Sequence, residues 1–173
     1  MATQSDAAAV PVLVTRPEPE ASAFAALLLR LYPGRLRPVV APLMQVRHLQ
    51  PVLPHESFGG VILTSPAAVA ALRPFRADLP DLAWCVGERT AKLAESAGFA
   101  ATAAGGDAEA LVRTILAARP KGRLLHLRGE DTRGNIAERL TSAGILTDSA
   151  VIYRQDPRPL NSAAAELLRQ DGV

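Results

Sequence analysis

Short apolar runs alternate along the chain with stretches whose apolar residues recur at helical spacing, and turn residues mark nearly every junction. Val10-Pro11-Val12-Leu13-Val14 reads as a strand; Thr15-Arg16-Pro17 breaks it, and Phe24, Leu27, Leu28 and Leu31 then follow the period of a helix that Pro33-Gly34 stops. Residues 36–46 read as a second extended segment, and its Pro38 and Pro42 suit a crossing connector better than a central strand. After Gly59-Gly60, the apolar strand Val61-Ile62-Leu63 ends in Thr64-Ser65-Pro66, with Ser65 placed as N-cap and Pro66 at the first position of a helix over 67–72.

The same phrase recurs when Ala83-Trp84-Cys85-Val86 runs into Gly87-Glu88-Arg89-Thr90 and a helix closed by Ser96-Ala97-Gly98-Phe99, where Gly98 suits a left-handed cap. Asp107 caps a helix carrying Leu111, Val112, Ile115 and Leu116. Residues 124–127 form a strand leading into a loop over 128–134, and the next helix closes at Ser142-Ala143-Gly144-Ile145. Residues 148–154 are again extended, Asp156-Pro157-Arg158-Pro159 reads as a linker, and Asn161 or Ser162 caps a last helix with Ala164, Leu167 and Leu168. Strands and helices in alternation predict an α/β protein with a parallel sheet covered on both faces. Ligands of such sheets gather beyond the carboxyl ends of the strands, which directs attention to the loops after Leu63, Val86 and Leu127.

Composition narrows the classes. A chain of 173 residues and 18.3 kDa suits one domain or two small ones. A net charge of +2 is too weak a field for a dedicated nucleic-acid binder, and 4% aromatics with the single Trp84 supply few stacking platforms. Hydrophobic residues at 49% and charged ones at 21% exclude disorder and low-complexity scaffolds, and the abundant alanine implies closely packed helices. The lone Cys85 can form neither an internal disulfide nor a CxxC metal site, so a reducing compartment, the cytoplasm, is expected. Residues 1–9 lack the basic start and Leu-rich core of a signal and read as a mobile tail; no apolar run has membrane-spanning length.

The chain carries no GxxxxGK[ST] loop, no GxGxxG after a strand and no GxSxG elbow, which removes three familiar enzyme classes. His48, His55 and His126 share no ligand spacing, and His126, inside an apolar strand, reads as a hydrogen-bonded core imidazole. Thr64-Ser65-Pro66 reads as a well-made helix start and also as an anion cradle, because a helix N-terminus exposes unpaired N–H groups and a partial positive charge. Residues 87–90 and 128–134 have the same placement. The latter adds Arg128 and Arg133, which can fork onto carboxylates, against the plainer reading of a solvated charged loop. Tyr153 stands where the chain leaves one domain for another; its phenol can act as a general acid in a cleft, or simply pack as an amphipathic residue at a strand end. Glu18, Glu20, Glu130 and Asp131 form no carboxylate dyad and read as solvated.

Five segments in register resemble bacterial uroporphyrinogen-III synthases: Val12-Leu13-Val14-Thr15-Arg16-Pro17, Leu63-Thr64-Ser65-Pro66-Ala67-Ala68-Val69, Val86-Gly87-Glu88-Arg89-Thr90-Ala91, Leu127-Arg128-Gly129 and Val151-Ile152-Tyr153-Arg154. The resemblance covers nearly the whole chain from Val10. It implies two flavodoxin-like parallel-sheet domains joined by a two-stranded connector, with residues 1–38 and 155–173 in the first, incomplete domain and 39–154 in the second. Residues 36–46 and 148–154 would be the connector strands. The implied reaction cyclises hydroxymethylbilane, a linear tetrapyrrole polycarboxylate, with inversion of the last pyrrole ring through a spiro intermediate and loss of water. It uses no cofactor and no metal. Tyr153 matches the family's tyrosine that assists departure of the hydroxyl; Thr64, Ser65 and Thr90 match cleft-facing positions near carboxylates, with Arg16, Gly87, Arg128 and Gly129 from the same loops. The implied partners are the substrate and, transiently, the deaminase that makes it, with no nucleic acid and no membrane.

The sequence ends at Asp171-Gly172-Val173, before the further strand, Ser-Pro helix start and Gly-x-x-Thr turn that the family carries. It therefore reads as a C-terminally shortened member. A full-length member is expected to be a monomer, whereas the short chain leaves apolar surface through which it can self-associate. Two other readings stand beside the enzyme: a non-catalytic module of the same fold that binds a tetrapyrrole or a partner, and a generic flavodoxin-like module for a phosphorylated ligand.

Overall fold

The computed structural model describes residues 9–131 and 134–170. Residues 1–8 of the stretch 1–9 read as a tail, Arg133 of the charged loop and the terminal residues 171–173 lie outside the described residues. The chain divides into two compact units, one from residues 9–46 and 156–170, the other Arg47–Gln155.

The first unit contains β1 (Val10–Val14), α1 (Glu20–Leu31), β2 (Leu36–Val40) and α6 (Ser162–Gln170). β1 and β2 pair in parallel from Val10 opposite Leu36 to Val14 opposite Val40. Residues 36–46 are thus not one connector strand. The turn at Ala41-Pro42-Leu43 separates β2 from β3 (Met44–His48), and β2 belongs to the two-stranded sheet. Pro38 is tolerated there because β2 is an edge, where alternate N–H groups point away from the partner strand. α1 is anchored through the small buried Ala21 and Ala25, while Phe24, Leu27 and Leu31, which its period marks as a core face, are exposed. Glu18 is not idle in solvent: its carboxylate accepts from the Ser22 backbone N–H at 3.1 Å and from the Ser22 hydroxyl at 2.7 Å, closing the first turn of α1. Asn161 caps α6 by accepting from Ala164 N–H at 2.9 Å, and its amide donates to the Val40 carbonyl at 2.9 Å.

The second unit is built on β4 (Phe58–Leu63), α2 (Pro66–Ala71), a 3-10 turn at Arg73–Asp78, β5 (Leu82–Cys85), α3 (Glu88–Ser96), β6 (Ala100–Ala103), α4 (Ala108–Ala118), β7 (Arg123–Gly129), α5 (Ile136–Ser142) and β8 (Thr147–Pro157). The six-stranded sheet runs β3-β8-β7-β4-β5-β6, and the pairs β8–β7, β7–β4, β4–β5 and β5–β6 are parallel. Along β8, β3 runs the other way: Leu49 N–H donates to the Ile152 carbonyl and Arg158 N–H to the Leu43 carbonyl, each at 2.8 Å. β8 continues through Asp156-Pro157, residues whose composition marks a linker, because this ladder with β3 carries it on. β6 gives no hydrophobic signal, being Ala-Ala-Thr-Ala, and exists by pairing with β5 at the sheet edge.

β4 is central, and Val61, Ile62 and Leu63 are wholly buried, as a strand flanked on both sides and covered on both faces requires. Ile62 packs with Leu111, Val112 and Ile115 of α4, Leu124 of β7, and Ile136 and Leu140 of α5. Asp107 starts α4 by accepting from Ala110 N–H at 2.7 Å. Gly98 and Gly144 take φ of +86° and +92° after α3 and α5, the left-handed stops that their sequence marks. Among the described residues no helix is long and apolar enough to cross a membrane.

Candidate active site

The carboxyl edge of this sheet collects most of the sequence-marked residues. β4 ends at Leu63, and Ser65, in extended backbone, caps α2: its hydroxyl accepts from Ala68 N–H at 3.3 Å. The same hydroxyl lies 2.9 Å from the phenol oxygen of Tyr153 on β8, with either oxygen able to donate. β7 lies between them in the sheet order. Tyr153 is 8% exposed, so its ring is held in the protein while its hydroxyl has a defined partner.

The seat of this ring is a slip in the β7–β8 ladder. Arg128 pairs with Val151, but Gly129 pairs with Tyr153, leaving Ile152 as the extra residue of a bulge. The Tyr153 carbonyl then accepts from Glu130 N–H at 3.0 Å, which ties the ring's backbone to the end of β7. Arg128 is turned back onto its own loop, donating to the carbonyls of Gly129 at 2.9 Å and Glu130 at 3.1 Å. It thereby stiffens the turn beside Tyr153.

The remaining marked residues divide. Thr64 is half-buried next to Ser65. Gly87 is the N-cap of α3, with no side-chain cap bond, and Thr90 in the first turn is buried at 3% exposure. Arg16 belongs to the other unit, exposed, with its guanidinium 5.9 Å from the Phe24 ring centre. The helix-terminus picture is trimmed: α2 has six residues, and α5 has seven and opens at Asn135, well past Gly129. The helix α5 thus begins just beyond residues 128–134, the stretch that the sequence marks as a loop, and the strand β7 extends to Gly129.

Two titratable groups near these loops are kept out of acid–base work. Burial, then the charge of Glu95, pushes the Cys85 thiol up to about 11, so it is no nucleophile at neutral pH. Burial, then the charge of Arg128, lowers His126 to about 4. Its Nε2 is buried with no hydrogen-bond partner among the described residues, so the expectation of a hydrogen-bonded core imidazole holds for burial and fails for bonding. The pairing of Ser65 with Tyr153 has no sequence signal, since 88 residues separate them.

A family model described as uroporphyrinogen-III synthase HemD matches residues 9–173. The uroporphyrinogen-III synthetase of Helicobacter pylori is similar in structure with a TM-score of 0.60 at 20% identity, over 92% of this chain and 68% of that one. A mutant uroporphyrinogen III synthase of Thermus thermophilus gives 0.54 at 18% identity, over 87% of this chain and 64% of that one. This chain thus spans about two thirds of the length of either structure. None of the curated proteins matches it. The structural likenesses carry the fold, and the family match, running across nearly the whole chain, carries the assignment: this chain belongs to the uroporphyrinogen-III synthase family, lyases of tetrapyrrole biosynthesis.

Proposed function

We propose that this chain closes hydroxymethylbilane to uroporphyrinogen III, with Tyr153 as the group that lets the terminal hydroxyl depart. The observation that carries the reading is the Ser65–Tyr153 hydrogen bond at the carboxyl edge of the sheet. In this reaction the bond from the terminal carbon to its hydroxyl breaks, and the oxygen leaves as water by taking a proton from the Tyr153 phenol. The substituted carbon of the last pyrrole ring attacks the cationic methylene so formed; in the spiro intermediate the bond from that carbon to its former methylene bridge breaks and re-forms at the ring's free α carbon, which loses its proton as the inverted ring closes. The proton released when the last ring rearomatises restores the phenol, and the Ser65 hydroxyl holds the phenol oxygen by hydrogen bond throughout. The larger task is conformational. Closure without inversion needs no enzyme, so the protein must hold the chain folded back for attack by the substituted carbon of the last ring.

A substrate with many carboxylates needs donors rather than a triad. Backbone N–H groups at Thr64, Ser65 and Gly87 supply them, with Arg128 as a cation. The reading places the chain in the cytoplasm, beside the deaminase that delivers the bilane. A coupled assay tests it: the bilane is made in situ, this chain is added, and oxidised uroporphyrins I and III are separated by chromatography. An excess of isomer III over the enzyme-free control supports the synthase. Isomer I alone from folded protein rejects it and leaves the tetrapyrrole-binding module as the standing reading.

A further inference from the structure

Gly129 is buried at the end of β7, and its backbone does not require glycine: it is absent from the residues with positive φ. What requires glycine there is space. A Cβ at this position would stand 2.7 Å from Cζ, 2.8 Å from Cε2 and 2.9 Å from the phenol oxygen of Tyr153, and these are its three nearest atoms. All belong to the hydroxyl end of one ring. Carbon atoms in contact prefer about 3.5–4.0 Å, so even a methyl group must displace the phenol by about 1 Å. The ring has little room to yield, being buried and held at its tip by Ser65. The bulge that sets Tyr153 opposite Gly129 fixes the same register from the backbone side.

We propose that Gly129 is a positioning residue rather than a substrate contact: its missing side chain is the seat that brings the Tyr153 hydroxyl to Ser65. The catalytic consequence rests on the reading of Tyr153 given above; the seating itself does not. A shift of about 1 Å in a reacting group can lower turnover by about 100-fold. Gly129→Ala is therefore expected to lower kcat for isomer III by roughly 10- to 100-fold with KM nearly unchanged, and to cost little more when added to Tyr153→Phe.

The seating is read separately by NMR of tyrosine labelled at Cζ. The chain has two tyrosines, Tyr32 and Tyr153, so Tyr153→Phe assigns both signals. Gly129→Ala and Ser65→Ala are each expected to move the Tyr153 signal and leave that of Tyr32. An unmoved Tyr153 signal in folded Gly129→Ala overturns the proposal. Should Gly129→Ala not fold, Tyr153→Ala combined with Gly129→Ala is expected to be as stable as Tyr153→Ala alone, because the clashing ring is gone; failure of that double variant to fold overturns it too. A parent chain that makes no isomer III rejects the synthase reading while the spectral and stability results still decide the seating.

Discussion

The side-chain oxygens of Ser65 and Tyr153 stand 2.9 Å apart, one just past the end of β4 and the other on β8, across 88 residues of sequence. The bond does two jobs. Ser65 also caps α2, so the residue that starts a helix is the one that holds the phenol.

Separating those jobs is a matter of comparing two variants. Tyr153→Phe removes one hydrogen bond and is expected to cost about 1 kcal/mol of stability while lowering isomer III formation about 100-fold. Ser65→Ala removes the cap and the bond and is expected to cost about 1–2 kcal/mol with a smaller loss of turnover. Urea denaturation beside the coupled assay reads both. Equal turnover in Tyr153→Phe and the parent removes the phenol from the chemistry.

Acid is expected to weaken the second unit through His126. Burial and Arg128 hold the folded pKa near 4 against 6.5 for an unperturbed imidazole, so between these values the unfolded chain binds a proton that the folded chain refuses. The stability this group allows is whole above about pH 6.5, falls as pH drops toward 4, and levels below it, with a ceiling of about 3 kcal/mol. Urea midpoints at pH 7 and pH 4.5 are expected to lie closer together in His126→Leu than in the parent. An unchanged spacing contradicts the assignment.

Gly59 is a steric requirement of the sheet. A Cβ there would lie 2.0 Å from the Lys121 carbonyl oxygen, a backbone atom that cannot turn aside. Gly59→Ala is expected to cost about 3 kcal/mol, the upper range for overpacking. At Gly34, φ is +70° and nothing lies within 4 Å of the added carbon, so Gly34→Ala is expected to cost only about 1 kcal/mol. Similar thermal shifts for the two would deny the close approach.

Arg76 closes the end of α3. Its guanidinium donates to the carbonyls of Ala97 at 3.0 Å, Gly98 at 2.6 Å and Leu79 at 3.3 Å, meets Asp81 at 2.9 Å, and lies 4.0 Å over the Phe99 ring. Lysine keeps the charge but not the planar fork, so Arg76→Lys is expected to cost about 2 kcal/mol. Asp81, with its side chain 86% exposed, contributes little, and Asp81→Ala is expected to cost under about 0.5 kcal/mol. Chemical denaturation that finds Asp81→Ala the worse variant would place the energy in the ion pair instead.

Elements whose signals are local were readable from the chain. The Ser65-Pro66 start of α2, the Asp107 cap of α4 and the glycine stops after α3 and α5 each depend on a few neighbouring residues, and each stands where its sequence marks it. The apolar runs at Val61-Ile62-Leu63 and Leu124-Leu125 became the buried middle of the sheet because strands covered on both faces have no polar side to show. The five motifs also carried the family, since their order along the chain needs no coordinates to be seen.

Pairing across distance is a different matter. β6 has no hydrophobic pattern and becomes a strand only because β5 offers it a ladder, and β2 reads as a connector until β1 is placed beside it. The apolar stripe of α1 counts as core by its period, yet it is exposed, since burial depends on what packs against a helix and not on the helix alone. At the site, the sequence marked Ser65, Gly129 and Tyr153 separately. Their union depends on the β7–β8 slip and on the ring's filling the space that a Cβ at position 129 would occupy, and register and excluded volume exist only when the strands lie side by side.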